Sequence, residues 1–566
     1  MFYFYSPQQH HQFTDRQHEL AILTYAAQEL RQGRPHHVAF FGLRKIGKTS
    51  LLKEFAYRLM TTAQAEHETV LPIFIDFEEI CSSPESFALR YIGHVSYWFQ
   101  TRGQRVPRPF MNLNSLLLNG PQLMKESLEA LANELAKAKP DRSFLLHLAF
   151  DFVEDLAQKA SLRFLVMLDE FQTIHALANF PEVKDVIAIF RAHLERHNAC
   201  GYVVAGSAIS VMERMLAHTS PLFAQFERLT LAPLDRGDTR ELVVKLLPPA
   251  DVEDLPVVSA EIYHLSGGHP FYVEALCGRL RRWHLLQDLP LTPAIIKQAF
   301  VWEVLSPQGR IYDFCRYIYD VSIQRARGYG ALVAILQLLA EEEGLTIAEI
   351  ARRQKVTAAT ARDYLRWLKE VDLIVEREGE HYYCDPVLRF WVANVAAGVE
   401  IAGPPRREVL EEMVRHLDER YQRAATELGL AQESQVRELL RGLAGRQVNG
   451  ALLGTSGSIQ LPAFVHVAPY RSPDGQVEVD ALAECDQSEP VEGEERWAVE
   501  IKWRGKAAGK KELVALLQKA HTLNARPWFI SRSGFTPQAR AFAGEHGMLI
   551  SSRADLERLF GQVGAS

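Results

Sequence analysis

The 566 residues contain no apolar run of the roughly 18 residues that a bilayer-spanning helix needs, so no membrane partner is expected. Cysteine is scarce: Cys81, Cys200, Cys277, Cys315, Cys384 and Cys485 are scattered, and no two form a C-x-x-C pair. That excludes a zinc ribbon or a disulfide framework and fits a reducing cytoplasm. Positive charge is not in surplus either, with 63 basic against 70 acidic residues and a net charge of −7. Nucleic-acid contact must then come from a local patch and not from a basic chain. The opening Met1-Phe-Tyr-Phe-Tyr-Ser-Pro7 lacks the basic-then-apolar layout of a signal peptide, so a soluble, cytoplasmic protein is expected. Apolar residues are plentiful at 47% beside 23% charged, which excludes large-scale disorder. The length excludes a single core and predicts about three to five domains.

The strongest local pattern lies near the N-terminus. His37–Phe41 reads as a short buried strand, followed by Gly42-Leu-Arg44-Lys45-Ile46-Gly47-Lys48-Thr49-Ser50 and a helical run from Leu51. This is G-x-x-x-x-G-K-[ST] in its strand–loop–helix setting, where backbone N–H groups and the helix N-terminus favour phosphate. Lys48 is expected to reach the β- and γ-phosphates of ATP, and the Thr49 hydroxyl to bind Mg²⁺. The apolar strand Arg163–Leu168 ends in Asp169-Glu170. Asp169 is placed to hold Mg²⁺, and Glu170 to act as general base on the attacking water. A further buried strand, Gly201–Gly206, ends at Ser207, directed at the γ-phosphate or the water, and Pro72–Asp76 adds another parallel strand. Strands alternating with helices predict a right-handed α/β layout.

These residues resemble the archaeal-type ATPases of the STAND and AAA-related NTPases. Phe13-Thr-Asp-Arg16-Gln-His-Glu19-Leu20 is similar to their F-x-x-R-x-x-E-L opening, which implies Arg16 in the nucleotide pocket. Gly42–Thr49 is similar to G-x-R-R-x-G-K-T, Gly206-Ser207 with Met212-Glu213 to the sensor segment, and Gly267-Gly268-His269-Pro270 to the turn on a helical lid. The family often carries an arginine just after its S-P-L segment. Here Ser220-Pro221-Leu222-Phe223 runs into Ala224-Gln225, and Arg228 is the nearest candidate. A missing finger, typically worth ~10³–10⁵ in rate, implies slow, switch-like hydrolysis and not a processive motor.

Residues 1–232 are thus expected to form the ATPase core, with a helical insertion at 83–160 whose role the sequence leaves unread, and 233–329 a helical lid. Residues 330–395 show a trihelical pattern and a hairpin, a winged helix-turn-helix with Arg362, Arg366 and Lys369 on the recognition helix. Ile350–Glu370 carries six basic residues against Asp363 and Glu370, net +4, opposite in sign to the whole chain. DNA contact through phosphates is expected, with a docking role for this module as the alternative. The run Tyr382-Tyr-Cys-Asp385-Pro386-Val-Leu-Arg389-Phe390-Trp391 resembles the close of this domain in the same family.

A linker at 396–425 precedes a module at 426–566. A helix around Glu433–Leu440 is followed by strand-like Ala463–Ala468, Val477–Ala483 and Trp497–Trp503. Alternation puts Glu500 and Lys502 on one face of the last strand, and a hairpin brings Asp480 opposite them. Two carboxylates for Mg²⁺ and a lysine to orient water suffice for phosphodiester hydrolysis. The set resembles the D…E-x-K core of PD-(D/E)-x-K nucleases, with Val479 in place of the proline and with Glu433 or Glu438 as the helix acid. Trp528–Ile550 is similar to the strand–helix–strand tail of Mrr-like restriction endonuclease domains. The basic run Lys502, Arg504, Lys506, Lys510, Lys511 suits a phosphate backbone.

The expected architecture is multidomain α/β: a P-loop ASCE/AAA-like core with helical lid, a winged helix, and a restriction-endonuclease-like domain. The expected function is an ATPase whose nucleotide state controls a C-terminal DNA nuclease using Mg²⁺, with Mn²⁺ as an alternative ion, and which assembles with nucleotide as a homo-oligomer. The rival reading is a nucleotide-switched scaffold that binds DNA or protein without cutting.

Overall fold

A computed structural model of the protein describes every residue except 1, 63–69, 181, 184, 248–253, 324–328, 378, 396–429, 473–476, 486–495, 503–506 and 564–566. The chain forms two compact units: Met1–Ala299 with Arg362–Ile374, and Phe300–Ala361 with Val375–Ser566.

The first unit is built on β1 (Val38–Phe41), β2 (Val70–Asp76), β3 (Arg163–Asp169), β4 (Cys200–Gly206) and β5 (Glu227–Thr230). They pair in the order β2-β3-β4-β1-β5, all parallel. Every residue of β1 and β4 is buried, which is why both read as unbroken apolar runs and not as alternating ones. Because β4 lies between β1 and β3, the phosphate loop, Ser207 and Asp169-Glu170 all leave the same edge of the sheet. This is the ASCE order, and the ligand side of such a sheet is the carboxyl end of its strands.

The stretch 83–160 is the crossover from β2 to β3. Helices Pro84–Thr101 and Arg142–Lys159 pack on each other through Phe87, Tyr91 and Phe150, whose ring centroids are 5.4–5.7 Å apart, and lie against β2 and β3. Trp98 donates its indole N–H to the Phe74 carbonyl at 2.8 Å, fastening the first helix to β2. Truncating one such buried aromatic typically costs ~3–5 kcal/mol, so the insertion belongs to the core and is not an appendage. Helices Arg236–Leu246, Leu255–Ser266 and Pro270–Gln287 follow as the lid.

The next module comprises helices Tyr329–Glu341, Ile347–Gln354 and Ala358–Glu370 with a sheet in the order β6-β8-β7, where β6 is Leu345–Thr346, β7 Ile374–Arg377 and β8 Glu380–Tyr383. The expected capping box is present: Thr346 N–H donates to Glu349 Oε2 at 2.8 Å, and Glu349 N–H to Thr346 Oγ1 at 3.4 Å. The D-P-x-x-R-F-W run has a structural explanation. Asp385 accepts from the Val387 N–H at 2.8 Å to start helix Pro386–Val395. Arg389 reaches Glu343 at 2.7 Å and the Ala340 carbonyl at 3.1 Å, a buried ion pair that ties this helix to the end of Tyr329–Glu341.

The C-terminal module opens with helix Leu430–Leu443 and a small hairpin, β9 (Gln447–Asn449) with β10 (Ser458–Gln460). Its main sheet runs β11 (Phe464–Arg471), β12 (Glu478–Cys485), β13 (Arg496–Lys502), β14 (Arg526–Ser531), β15 (Leu549–Ser552), in that order. The first three strands are antiparallel and the last three parallel. The sheet is covered on both faces. Trp497, Val499 and Ile501 join one apolar cluster with Leu439 and Leu559, while Ala498 joins a second with Leu516 and Phe542.

Candidate functional site

The P-loop is held by its own side chains. Lys48, 4% exposed, donates to the carbonyls of Gly42 at 2.8 Å and Leu43 at 2.9 Å, so its ammonium lies inside the loop. Burial pushes it down to about 8, against the pull of Glu170 and Asp169. Thr49 Oγ1 donates to Asp169 Oδ2 at 2.5 Å, across 120 residues of sequence. Burial raises the Asp169 carboxyl above its usual range, only partly offset by Thr49. At Gly47 φ is +107°, a backbone conformation that favours glycine, although an added Cβ would meet nothing within 4 Å. Ile46 is buried and Ser50 exposed at the start of helix Lys48–Thr62.

Glu170 stands one residue past β3 in the left-handed region, φ 49°. Its Oε2 accepts from Ser207 Oγ at 2.7 Å and from Gln172 Nε2 at 2.5 Å. No motif singles out Gln172; its only sequence signal is its position two residues beyond the acid. Asp76, by sequence no more than a strand end, pairs in register with Asp169 and is pushed up to about 6, by burial first and by neighbouring acids. The structure therefore gathers Lys48, Thr49, Asp169, Glu170 and Ser207, and adds Gln172 and Asp76.

Arg16, 5% exposed with φ 67°, donates to the Ile46 carbonyl at 3.2 Å. From the lid, His269 Nε2 lies 3.1 Å from the Arg44 carbonyl, and Lys45 stands 4.0 Å above the Phe271 ring. Pro270 begins that lid helix. Gly268 is fixed by packing: φ is +73°, and a Cβ there would lie 1.9 Å from the Leu234 carbonyl oxygen. Gly268→Ala is expected to cost about 3 kcal/mol or more, read as a lowered Tm and as weakened nucleotide binding. Arg228 is exposed on the edge strand β5, in register with Ala39, three residues before Gly42.

The second half of helix Ala358–Glu370 is not a bare surface. Residues 362–374 cluster with the ATPase unit. Ser210 Oγ donates to Asp372 Oδ1 at 2.7 Å and the Lys369 carbonyl at 2.9 Å, and its N–H donates to Asp372 at 3.0 Å. Arg366 and Lys369 line a cleft of ≈ 360 Å³ with Ser210, Glu213, Arg214, Ala217 and Glu370. Arg362 and Arg366 stay exposed, with Arg366 paired to Asp363.

In the C-terminal module β12 and β13 pair Ala481 with Val499, so Asp480 continues the register towards Glu500. Asp480 Oδ2 accepts from the Ile501 N–H at 2.6 Å, and its carbonyl accepts from Arg437 at 2.8 Å. Glu500 is flanked by Lys502 Nζ at 3.1 Å and by Lys519 Nζ at 3.0 Å from helix Lys510–Thr522. Sequence spacing does not reveal Lys519, because its partner lies 19 residues away on another element. The side chains of Glu433 and Glu438 on helix Leu430–Leu443 lie outside the described residues, as does Lys506.

A parallel sheet in the ASCE order, a phosphate loop after its central strand and paired acids after β3 define a P-loop ATPase core. Residues 13–276 match the model of an ATPase domain predominantly from Archaea, residues 332–375 a winged helix-turn-helix DNA-binding domain, and residues 465–560 a restriction endonuclease domain. The chain thus carries all three modules expected from its sequence. Among solved structures it is similar to a Walker-type ATPase of Pyrococcus abyssi, at 15% identity over 67% of this chain and 96% of that one, TM-score 0.42. It is also similar to the ORC2 protein of Aeropyrum pernix, at 14% identity over 71% and 94%, TM-score 0.45. The RuvB Holliday junction branch migration motor of Thermotoga maritima aligns at 15% identity over 66% and 92%, TM-score 0.31. No curated protein matches the chain. No described helix is long and apolar enough to cross a membrane.

Proposed function

We propose that this protein binds and hydrolyses ATP, binds DNA, and uses its nucleotide state to control a C-terminal metal-dependent nuclease. One observation carries the control: Ser207 touches Glu170 at 2.7 Å, and three residues later Ser210 holds Asp372 at the end of the recognition helix. A shift at Ser207 when the γ-phosphate arrives or leaves is transmitted through one turn of chain to that latch. Each of these hydrogen bonds is worth ~0.5–1.5 kcal/mol net, within the reach of contacts made to a bound nucleotide.

Hydrolysis follows from the same groups. Lys48 turns from the loop carbonyls to the phosphates, and Glu170 takes a proton from the water as its oxygen attacks the γ-phosphorus and the bond to ADP breaks. Thr49 and Asp169 would hold Mg²⁺, which supplies charge neutralisation on the phosphates. Glu170→Gln is expected to keep ATP binding but lose ~10²–10⁴-fold in phosphate release, since the amide accepts no proton. Unchanged turnover would remove Glu170 from that role.

For cutting, Asp480 and Glu500 would hold the divalent ion, Mg²⁺ or Mn²⁺, with Lys502 orienting water against a backbone phosphorus. Arg362, Arg366 and Lys369 are proposed to meet DNA phosphates once the Asp372 latch opens. Reversing the charge of Arg362 and Arg366 is expected to weaken DNA binding and flatten its salt slope by ~0.9 for each phosphate no longer neutralised. An unchanged slope, measured by titration at several salt concentrations, would make this helix a docking element. ATP-dependent self-assembly belongs to the same proposal.

A second reading, a switched scaffold that binds without cutting, is favoured by one feature. Two ammonium groups already pair with Glu500 and would compete with a divalent ion for its carboxylate.

A further inference from the structure

At the opposite end of β4 from the nucleotide site lies a cluster that neither hydrolysis nor cutting uses. Helix Arg142–Lys159 contributes Asp151, helix Val186–Leu194 contributes His193, and the turn into β4 contributes His197. One donor atom from each of the three lies within 4.8 Å of the other two. His193 and His197 are only 1% and 5% exposed. We propose that Asp151, His193 and His197 form a binding site for a late first-row divalent cation, zinc above all.

Three features of the histidines support this. His197 Nδ1 lies 2.8 Å from the Tyr202 hydroxyl, while its buried Nε2 has no hydrogen-bond partner. An orphaned imidazole nitrogen inside a protein costs free energy unless something binds it. His193 Nε2 lies 2.8 Å from His147 Nδ1, and its Nδ1 lies 2.9 Å from Asp151 Oδ1. If the Nε2 of His193 carries the proton and donates it to His147, its Nδ1 keeps a lone pair for a metal. Each ring then has one nitrogen oriented by an outer partner and one available, the usual arrangement of ligating histidine.

A second set, Glu154, His197 and Cys200, shares the same imidazole. Its carboxylate is already engaged: Glu154 accepts from the backbone N–H groups of Asn198 and Ala199 and from Gln158. The Asp151 set is therefore the one able to bind. A cation is already drawn there, since Arg196 Nη2 lies 3.1 Å from His193 Nδ1 and 3.7 Å from Asp151. The Arg196 side chain is 62% exposed and is otherwise held, among the described residues, only by its Nε–H donating to the Ala192 carbonyl at 2.9 Å, a contact given up when a metal takes its place. The Asp151 side chain, about half exposed, leaves the site open to solvent on that side. Two imidazole nitrogens, one carboxylate oxygen and a water suit zinc, cobalt or nickel better than Mg²⁺, which prefers an all-oxygen shell.

The test uses the full, untagged chain, stripped with chelator and kept in excess Mg²⁺ so that all-oxygen sites are filled. Co²⁺ is titrated as the spectroscopic probe, then displaced with Zn²⁺. The expected result is one equivalent of Co²⁺ with a visible d–d band of low coordination number, abolished by Zn²⁺. Asp151→Asn, at a half-exposed position chosen to spare the fold, and His193→Gln should each weaken binding by at least ~10²-fold, while Arg196→Ala should tighten it. Thermal melts without metal check that the variants fold. The proposal is overturned if neither the parent nor Arg196→Ala gives a band, or if the band persists undiminished in folded Asp151→Asn.

Discussion

Asp480→Asn is expected to cut DNA ~10³-fold or more slowly than the parent chain while binding it equally well. The size follows from losing a charged ligand worth several kcal/mol to the transition state. Asparagine is the informative replacement because its side-chain oxygen still accepts from the Ile501 N–H, the bond Asp480 makes at 2.6 Å. Asp480→Ala would also remove that half-buried contact and mix a folding defect with a chemical one. The measurement is cleavage of supercoiled, linear and single-stranded DNA with Mg²⁺ or Mn²⁺, with and without ATP. Cutting that vanishes in Asp480→Asn and changes with ATP supports the coupled nuclease. Parent protein that never cuts but binds DNA with nucleotide-dependent assembly supports the scaffold.

Lys48→Ala should weaken ATP binding by about 100-fold or more, close to 3 kcal/mol for a missing ammonium–phosphate bond. The fold should survive, because the ammonium is buried at a cost, as its depression to about 8 indicates. Of its two carbonyl partners, Gly42 is buried and Leu43 half-buried, and removing the ammonium leaves two loop carbonyls without a donor while relieving the cost of burying a charge. Equilibrium binding of a fluorescent ATP analogue beside far-UV circular dichroism separates the two effects. Retained affinity in a folded variant would place the phosphates elsewhere.

What could be read from the sequence was what is local. The phosphate loop, the acids after β3 and the capping box at Thr346 each occupy a few consecutive residues whose geometry follows from their spacing. The strand-by-strand order of the C-terminal module was legible for the same reason, with alternation placing Glu500 and Lys502 together. The stretch 83–160 was opaque because its two long helices are apolar on the sides that meet β2 and β3, and nothing in their own periodicity names those partners. Lys519 at Glu500, Gln172 between Glu170 and Ser207, and Asp372 on Ser210 are long-range or unpatterned contacts. Only the folded backbone brings them together.

The bond between Ser210 and Asp372 also bears on how this chain can be taken apart or recombined. A fragment ending at Ala299 would keep the whole nucleotide pocket but lose residues 362–374, which belong to the same compact unit. It would leave a hydroxyl and an N–H at Ser210 with no carboxylate to receive them. A chimera that imports another winged helix keeps a backbone carbonyl at the position of Lys369 for the Ser210 hydroxyl, but loses the acceptor of the Ser210 N–H unless it also brings a carboxylate at the position of Asp372.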